Sequence, residues 1–284
     1  MKATHYITIA SAIALIVLLY WGGNTVPPAK PKVENQPGAG AMAQGPNTMK
    51  PASFDSLLSA SRRQLPKTAA DSIKTIENEL AANQDSSRMA VVFSQLSGVW
   101  GRNGSPAIAN YYGGIAAKLE KSQKKLTFAA QYFLQLMQEE NSPSVQVWEA
   151  GQAAWCAGQA LSIDSTNEDA RLALASAYIE GTGEPMKGVQ ILRGITSEKP
   201  DDIPANMLLG RMSIQSGQFD KAVKRFEVVI RQEPDNKEAV YFMAQAYEGT
   251  GDKQKAIEML TRCKKLVNKP EFSAEIDKKI NSLK

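Results

Sequence analysis

Residues 203–236 read IPANMLLGRMSIQSGQFDKAVKRFEVVIRQEPDN, and residues 237–270 read KEAVYFMAQAYEGTGDKQKAIEMLTRCKKLVNKP. Laid over one another, the two stretches share a register. Gly217 falls on Gly251, Gly210 on Ala244, Ala222 on Ala256, Phe226 on Leu260 and Val229 on Cys263, each pair 34 residues apart. Each stretch holds two apolar runs at helical spacing, divided at the glycine. The same stride reaches back into residues 169–202, through Ser176, Gly183, Gly188, Leu192, Ile195 and Pro200. A fixed period of this length is the mark of stacked supersecondary units.

Each recurring position has a physical role. Small residues at 176, 210 and 244, and at 188, 222 and 256, let two antiparallel helices cross closely. The glycines at 183, 217 and 251 end the first helix, where a left-handed residue is needed. Residues 192, 226 and 260 fill the gap between successive hairpins, and Pro200 and Pro234 end the second helix.

The pattern resembles the tetratricopeptide repeat family, whose unit is a helix–turn–helix of 34 residues. Residues 203–236 carry Leu209-Gly210, Gly217, Phe219, Ala222, Phe226 and Pro234. Residues 237–270 carry Ala244, Tyr247, Ala256 and Leu260, but Asn268 holds the proline register and Pro270 comes two residues late. In residues 169–202, Gly188 replaces the usual alanine and Tyr178 sits one place early, which predicts a local irregularity. Residues 90–123 match through Phe93, Leu96, Trp100, Gly104, Ala109 and Ala116. The 45 residues from 124 to 168 exceed the unit by 11. Helices are expected there over 125–137 and 147–163, with the excess at 139–144 as a longer connection or as extended helices. An amphipathic helix over 68–83, within a leading helical segment 54–89, and a capping helix within 271–284 complete the picture. The expected fold is an all-α, right-handed α-solenoid of about five units: 90–123, 124–168, 169–202, 203–236 and 237–270.

Ahead of the repeats, residues 3–23 contain no ionisable side chain except His5, and Tyr20 and Trp21 stand near the end of the run. About 20 apolar residues cross a bilayer as a helix, and aromatic rings settle at its interfaces. Residues 1–23 are therefore read as a transmembrane anchor. A cleaved signal peptide is the alternative, but Leu19-Tyr20-Trp21-Gly22-Gly23 is not a small-x-small cleavage site. Residues 24–53 hold six prolines, three glycines and almost no large apolar residue, which predicts a disordered linker. Lys2 lies closer to the span than Lys30 and Lys32, so the bulk of the chain is expected outside the cytoplasm. The expected location is a bacterial inner membrane, crossed once, with the folded part in the periplasm.

Composition narrows the chemistry. A net charge of +4 over 284 residues gives no reason to expect nucleic acid as a partner. The single histidine, His5, excludes histidine-based acid–base or triad catalysis in the repeats. Cys156 and Cys263 fall at buried-type registers and cannot form a disulfide framework or an all-cysteine zinc site. The cluster Gly181-Thr182-Gly183-Glu184-Pro185-Met186-Lys187-Gly188 lacks the order of a phosphate loop and follows a helix. No catalytic residue, cofactor, metal or small-molecule substrate is expected, and the chain is not read as an enzyme.

The resemblance implies that the first helix of each hairpin lines a concave groove. The groove residues then expected are Phe128, Tyr132, Ala173, Ala177, Met207, Arg211, Tyr241, Gln245 and Glu248. The Lys/Asn/Arg clamp that some members use for C-terminal carboxylates is missing, since positions 173, 177, 207 and 211 hold Ala, Ala, Met and Arg. The expected partner is a protein or peptide offering an apolar or mixed segment in extended or helical form. The function so implied is a membrane-anchored interaction scaffold. The alternative is an accessory subunit of an envelope assembly pathway, such as cytochrome maturation, cell division or outer-membrane biogenesis, by analogy of fold.

Overall fold

The computed structural model describes residues 49–82 and 85–284. The expected anchor, residues 1–23, and the linker as far as residue 48 lie outside the described residues. Among the described residues no helix is long and apolar enough to cross a membrane. They form thirteen α-helices and no strand: α1 Phe54–Arg63, α2 Lys67–Ala82, α3 Ser86–Arg102, α4 Pro106–Leu119, α5 Gln123–Glu139, α6 Pro143–Ile163, α7 Glu168–Glu180, α8 Pro185–Glu198, α9 Ile203–Gln215, α10 Phe219–Gln232, α11 Lys237–Thr250, α12 Lys253–Val267 and α13 Pro270–Leu283.

Five successive hairpins pair α3 with α4, α5 with α6, α7 with α8, α9 with α10 and α11 with α12. The second helix of each leans on the first helix of the next, and first helices also touch, α5 with α7, α7 with α9 and α9 with α11. The result is an all-helical, tetratricopeptide-like solenoid. Gly104, Gly183, Gly217 and Gly251 all sit in the left-handed region, with φ between 72 and 82°. Those turns reverse the chain in two to four residues because glycine has no Cβ to oppose that geometry.

The core is a chain of linked clusters. Leu96, Trp100 and Ile108 join α3 to α4, Phe133 and Trp148 join α5 to α6, Leu192 and Leu209 join α8 to α9, and Phe226 and Met243 join α10 to α11. Each large apolar side chain so buried contributes about 1.5–3 kcal/mol. Two side-chain amides, Asn110 buried and Asn167 half-buried, add direction. Asn110 Nδ2 donates to the Ala129 carbonyl (2.8 Å), and Asn167 Nδ2 donates to Thr127 Oγ1 (3.1 Å). At the end of the array Ile276 and Leu283 of α13 cover Ala256 and Leu260 of α12. Cys156 and Cys263 are buried, and burial pushes the Cys156 thiol up to about 12, so both behave as small apolar residues.

The eleven additional residues of 124–168 lengthen the helices. α5 and α6 have 17 and 21 residues where α9 and α10 have 13 and 14, which absorbs the whole excess, and the connection between them stays at residues 140–142. The irregularity at Tyr178 also has a definite form. α7 is capped by Asn167, whose side chain accepts from Ala170 N, and α9 by Asp202, which accepts from Ala205 N. The caps are 35 residues apart, whereas Asp202 and Asn236 are 34 apart. α7 therefore starts one residue early, and the turn that follows it, residues 181–184, is one residue longer than residues 216–218. Ala175, not Ser176, is consequently the fully buried small residue that faces Gly188.

The expected leading helical segment 54–89 holds α2 over 67–82, close to the expected 68–83, and a further helix, α1, ahead of it. α1 has no buried residue of its own. It docks through Phe54, whose ring stacks on Tyr111 at 3.9 Å and lies against Tyr112 and Trp148. Ala52 N donates to the Ser144 carbonyl (2.8 Å), so the chain is already tied to α6 one residue before the expected end of the linker.

Candidate functional site

The face on which the groove residues were expected is built from the first helices. In α9 and α11 the third, eighth and tenth or neighbouring positions turn inward, as Ala205, Gly210, Ala239, Ala244 and Ala246 show. The fifth and ninth positions then lie partly exposed: Met207 and Arg211 on α9, Tyr241 and Gln245 on α11. Met207 rests on the cluster of Phe226 and Met243, and Tyr241 stands 6.4 Å from the Phe272 ring of α13.

Charged and aromatic contacts link these side chains from helix to helix. Arg211 pairs with Glu180 of α7 at 3.2 Å, and its guanidinium lies 5.7 Å from the Phe242 ring centroid on α11. Glu248 of α11 pairs with Lys279 of α13 at 2.8 Å. The face is thus a ladder of apolar side chains with balanced charges across it. The pairs are partly exposed, so each is worth less than about 1 kcal/mol.

Ala173 and Ala177 do not belong to this face. They are 4% and 0% exposed and pack with Ala129, Ala130 and Phe133 of α5. The early start of α7 is the cause, because it moves both alanines one step around the helix. The fifth and ninth residues of α7 are Leu172 and Ser176, which are partly exposed. Phe128 and Tyr132 lie on α5 and stack on each other at 6.1 Å, with Phe128 66% exposed. The structure gives them no contact with the α9 and α11 residues. The constant stride missed Leu172, Ser176, Glu180 and Lys279. The cap signal at Asn167, followed by the acidic pair Glu168 and Asp169, carried the information.

Two features elsewhere are also site-like. α3, α4 and α6 border a cleft of about 750 Å³ lined by Phe93, Tyr111, Ile115, Leu119 and Trp155, with Lys118 Nζ 5.4 Å from the Trp155 ring. Its walls offer dispersion contacts and one cation rather than acid–base chemistry. Glu149 of α6 is 3% exposed, and its Oε2 is buried without a hydrogen-bond partner. Burial, and then the charge of Glu140, push its carboxyl up to about 7. Among the described residues no group of three or more His, Cys, Asp or Glu side chains is arranged to hold a metal ion.

Residues 213–274 match the family model of the tetratricopeptide repeat, which spans the end of α9 through the start of α13. Solved structures similar to this chain include MamA 41-end from Desulfovibrio magneticus RS-1, at 16% identity over 63% of this chain and 96% of that one, with a TM-score of 0.50. YrrB, described as a TPR protein with an unusual peptide-binding site, is 16% identical over 72% of this chain and 97% of that one, with a TM-score of 0.48. At 16% identity the likeness to MamA is one of fold alone. No curated protein matches the chain by sequence.

Proposed function

We propose that the chain is a membrane-anchored scaffold that holds a protein partner along the first-helix face of α7, α9 and α11, with the repeats on the periplasmic side. The observation that carries this reading is the ladder itself. Leu172, Met207 and Tyr241 present apolar surface on three successive first helices, flanked by the exchangeable pairs Glu180–Arg211 and Glu248–Lys279. Apolar anchors inside a polar rim are what a protein interface uses. The repeat match over residues 213–274 supports the reading at the level of class. The apolar run of residues 3–23 and the proline-rich stretch after it support the anchor and tether. In this reading the chain performs no chemistry of its own.

The test is site-specific photocrosslinking in the native cell. A benzoylphenylalanine at position 241 or 245 is expected to give one discrete protein adduct, and the same probe at position 253, on the outer helix α12, is not. Met207→Ala with Arg211→Ala should abolish the adduct. A ladder-face probe that yields nothing, or the same adducts as position 253, refutes the reading. A phosphatase reporter fused after residue 284 decides the compartment, since it is active only outside the cytoplasm.

A further inference from the structure

Away from the first-helix ladder, α8 and α10 border a cleft of about 440 Å³ floored by α9. Four cations line it: Arg193 from α8, and Lys221, Lys224 and Arg225 from α10. Among the described residues none of the four makes an ion pair. Arginines elsewhere do pair, Arg62 with Glu77, Arg88 with Glu79, Arg171 with Glu198 and Arg211 with Glu180. The cleft is therefore a local excess of positive charge on a chain whose net charge is only +4.

Arg225 is fixed in place from below. Its Nη1 donates to Asn206 Oδ1 (3.0 Å), and the fully buried Asn206 is itself held by donating to the Pro200 (3.0 Å) and Asp202 (2.7 Å) carbonyls. Burial, and then the nearby charge of Arg193, lower the proton affinity of the Arg225 guanidinium. Two like charges held near each other over an apolar floor cost free energy that an arriving anion offsets. A guanidinium pair also suits the planar fork of a carboxylate.

The floor decides what carries that carboxylate. Val189 and Leu209 lie beneath the cations and are nearly fully buried, while Met186 at the mouth is 62% exposed. Apolar surface recessed below charge receives a side chain that projects inward. A membrane-surface element has the opposite order, with its apolar residues outermost. A volume near the small end of the roughly 300–1,000 Å³ range of ligand pockets holds one large side chain with its acidic neighbour.

We infer that the α8–α10 cleft docks an acidic peptide segment of a protein partner, seating an apolar side chain on Val189, Leu209 and Met212 and a carboxylate between Arg193 and Arg225. This contact is separate from the ladder face and stands if that reading fails.

The experiment is fluorescence anisotropy with the full chain in detergent micelles and a fluorescein-labelled peptide that alternates glutamate with phenylalanine. The expected result is saturable binding that weakens by about tenfold or more when the glutamates become glutamines, and again when salt rises from about 0.05 to about 0.5 M. Arg193→Glu, at an exposed position, should weaken it to the same degree with the circular dichroism melt unchanged. Met207→Ala with Tyr241→Ala on the ladder should leave it intact. Equal affinity for the glutamine peptide, or binding unmoved by Arg193→Glu, overturns the inference. So does a result in which phosphatidylglycerol vesicles bind through Arg193 while the acidic peptide does not.

Discussion

A Cβ placed on Gly188 would lie 2.6 Å from the carbonyl oxygen of Ala175 in the facing helix. The next two hairpins carry Ala222 and Ala256 at this position, whereas α7 and α8 approach where an alanine no longer fits. A backbone oxygen cannot rotate away as a side chain can. Gly188→Ala, which restores the usual residue of the repeat, is expected to destabilise by about 1–3 kcal/mol. A shift of the denaturant midpoint reads this, and an unchanged midpoint would show that the helices are not so close.

Gly251 isolates a backbone effect. Its φ is 82°, and a Cβ there meets nothing within 4 Å. Gly251→Ala therefore costs only the left-handed penalty, about 1–2 kcal/mol, and Gly251→Asn should recover part of it. Equal stability of the glycine, asparagine and alanine forms in urea would exclude the left-handed turn.

Glu149 gives the stability a pH dependence of definite sign. Its folded-state pKa of about 7 lies above the ordinary 4.5, so its contribution is complete below pH 4.5 and is lost as pH rises through 7. Glu149→Gln stays neutral throughout. The variant is expected to match the parent near pH 4.5 and to exceed it at about pH 8.5 by on the order of 2–3 kcal/mol. Thermal melts at the two pH values check this, and a pH-independent difference would contradict a buried, unpartnered carboxyl.

Phe54 should act as the staple of α1. Removing its ring takes away the contacts with Tyr111, Tyr112 and Trp148, and α1 has no fully buried residue to replace them. Phe54→Ala is expected to speed amide exchange across residues 54–63 by about tenfold or more while α9 to α12 keep their protection, because each hairpin feels mainly its neighbours. Uniform loss of protection along the array would argue for global cooperativity instead.

The hairpin turns at Gly183, Gly217 and Gly251 were legible because their chemistry is local: each glycine marks the turn and adopts the left-handed geometry the spacing implied. The small residues at 210, 222, 244 and 256 are buried, as helix crossing requires. What failed was the assumption of a constant stride within residues 169–202. A one-residue advance of α7 leaves its glycine turn in step yet rotates every groove position, which is why Ala173 and Ala177 went to the interior and Leu172 and Ser176 took their place. The choice between a long connection and long helices in residues 124–168 was open from the sequence, because both conserve length. α1 was not delimited within the expected helical segment 54–89 because its docking depends on Phe54 meeting side chains more than fifty residues away. The cationic cleft joins Arg193 to Arg225 across two hairpins, a proximity that no one-dimensional period displays.

Helix α13 lies over Ala256 and Leu260 as a further first helix would. The apolar facet of α12 that it covers is thereby closed to templated growth. Excising residues 270–284 would turn that facet into a sticky end, able to nucleate head-to-tail polymers.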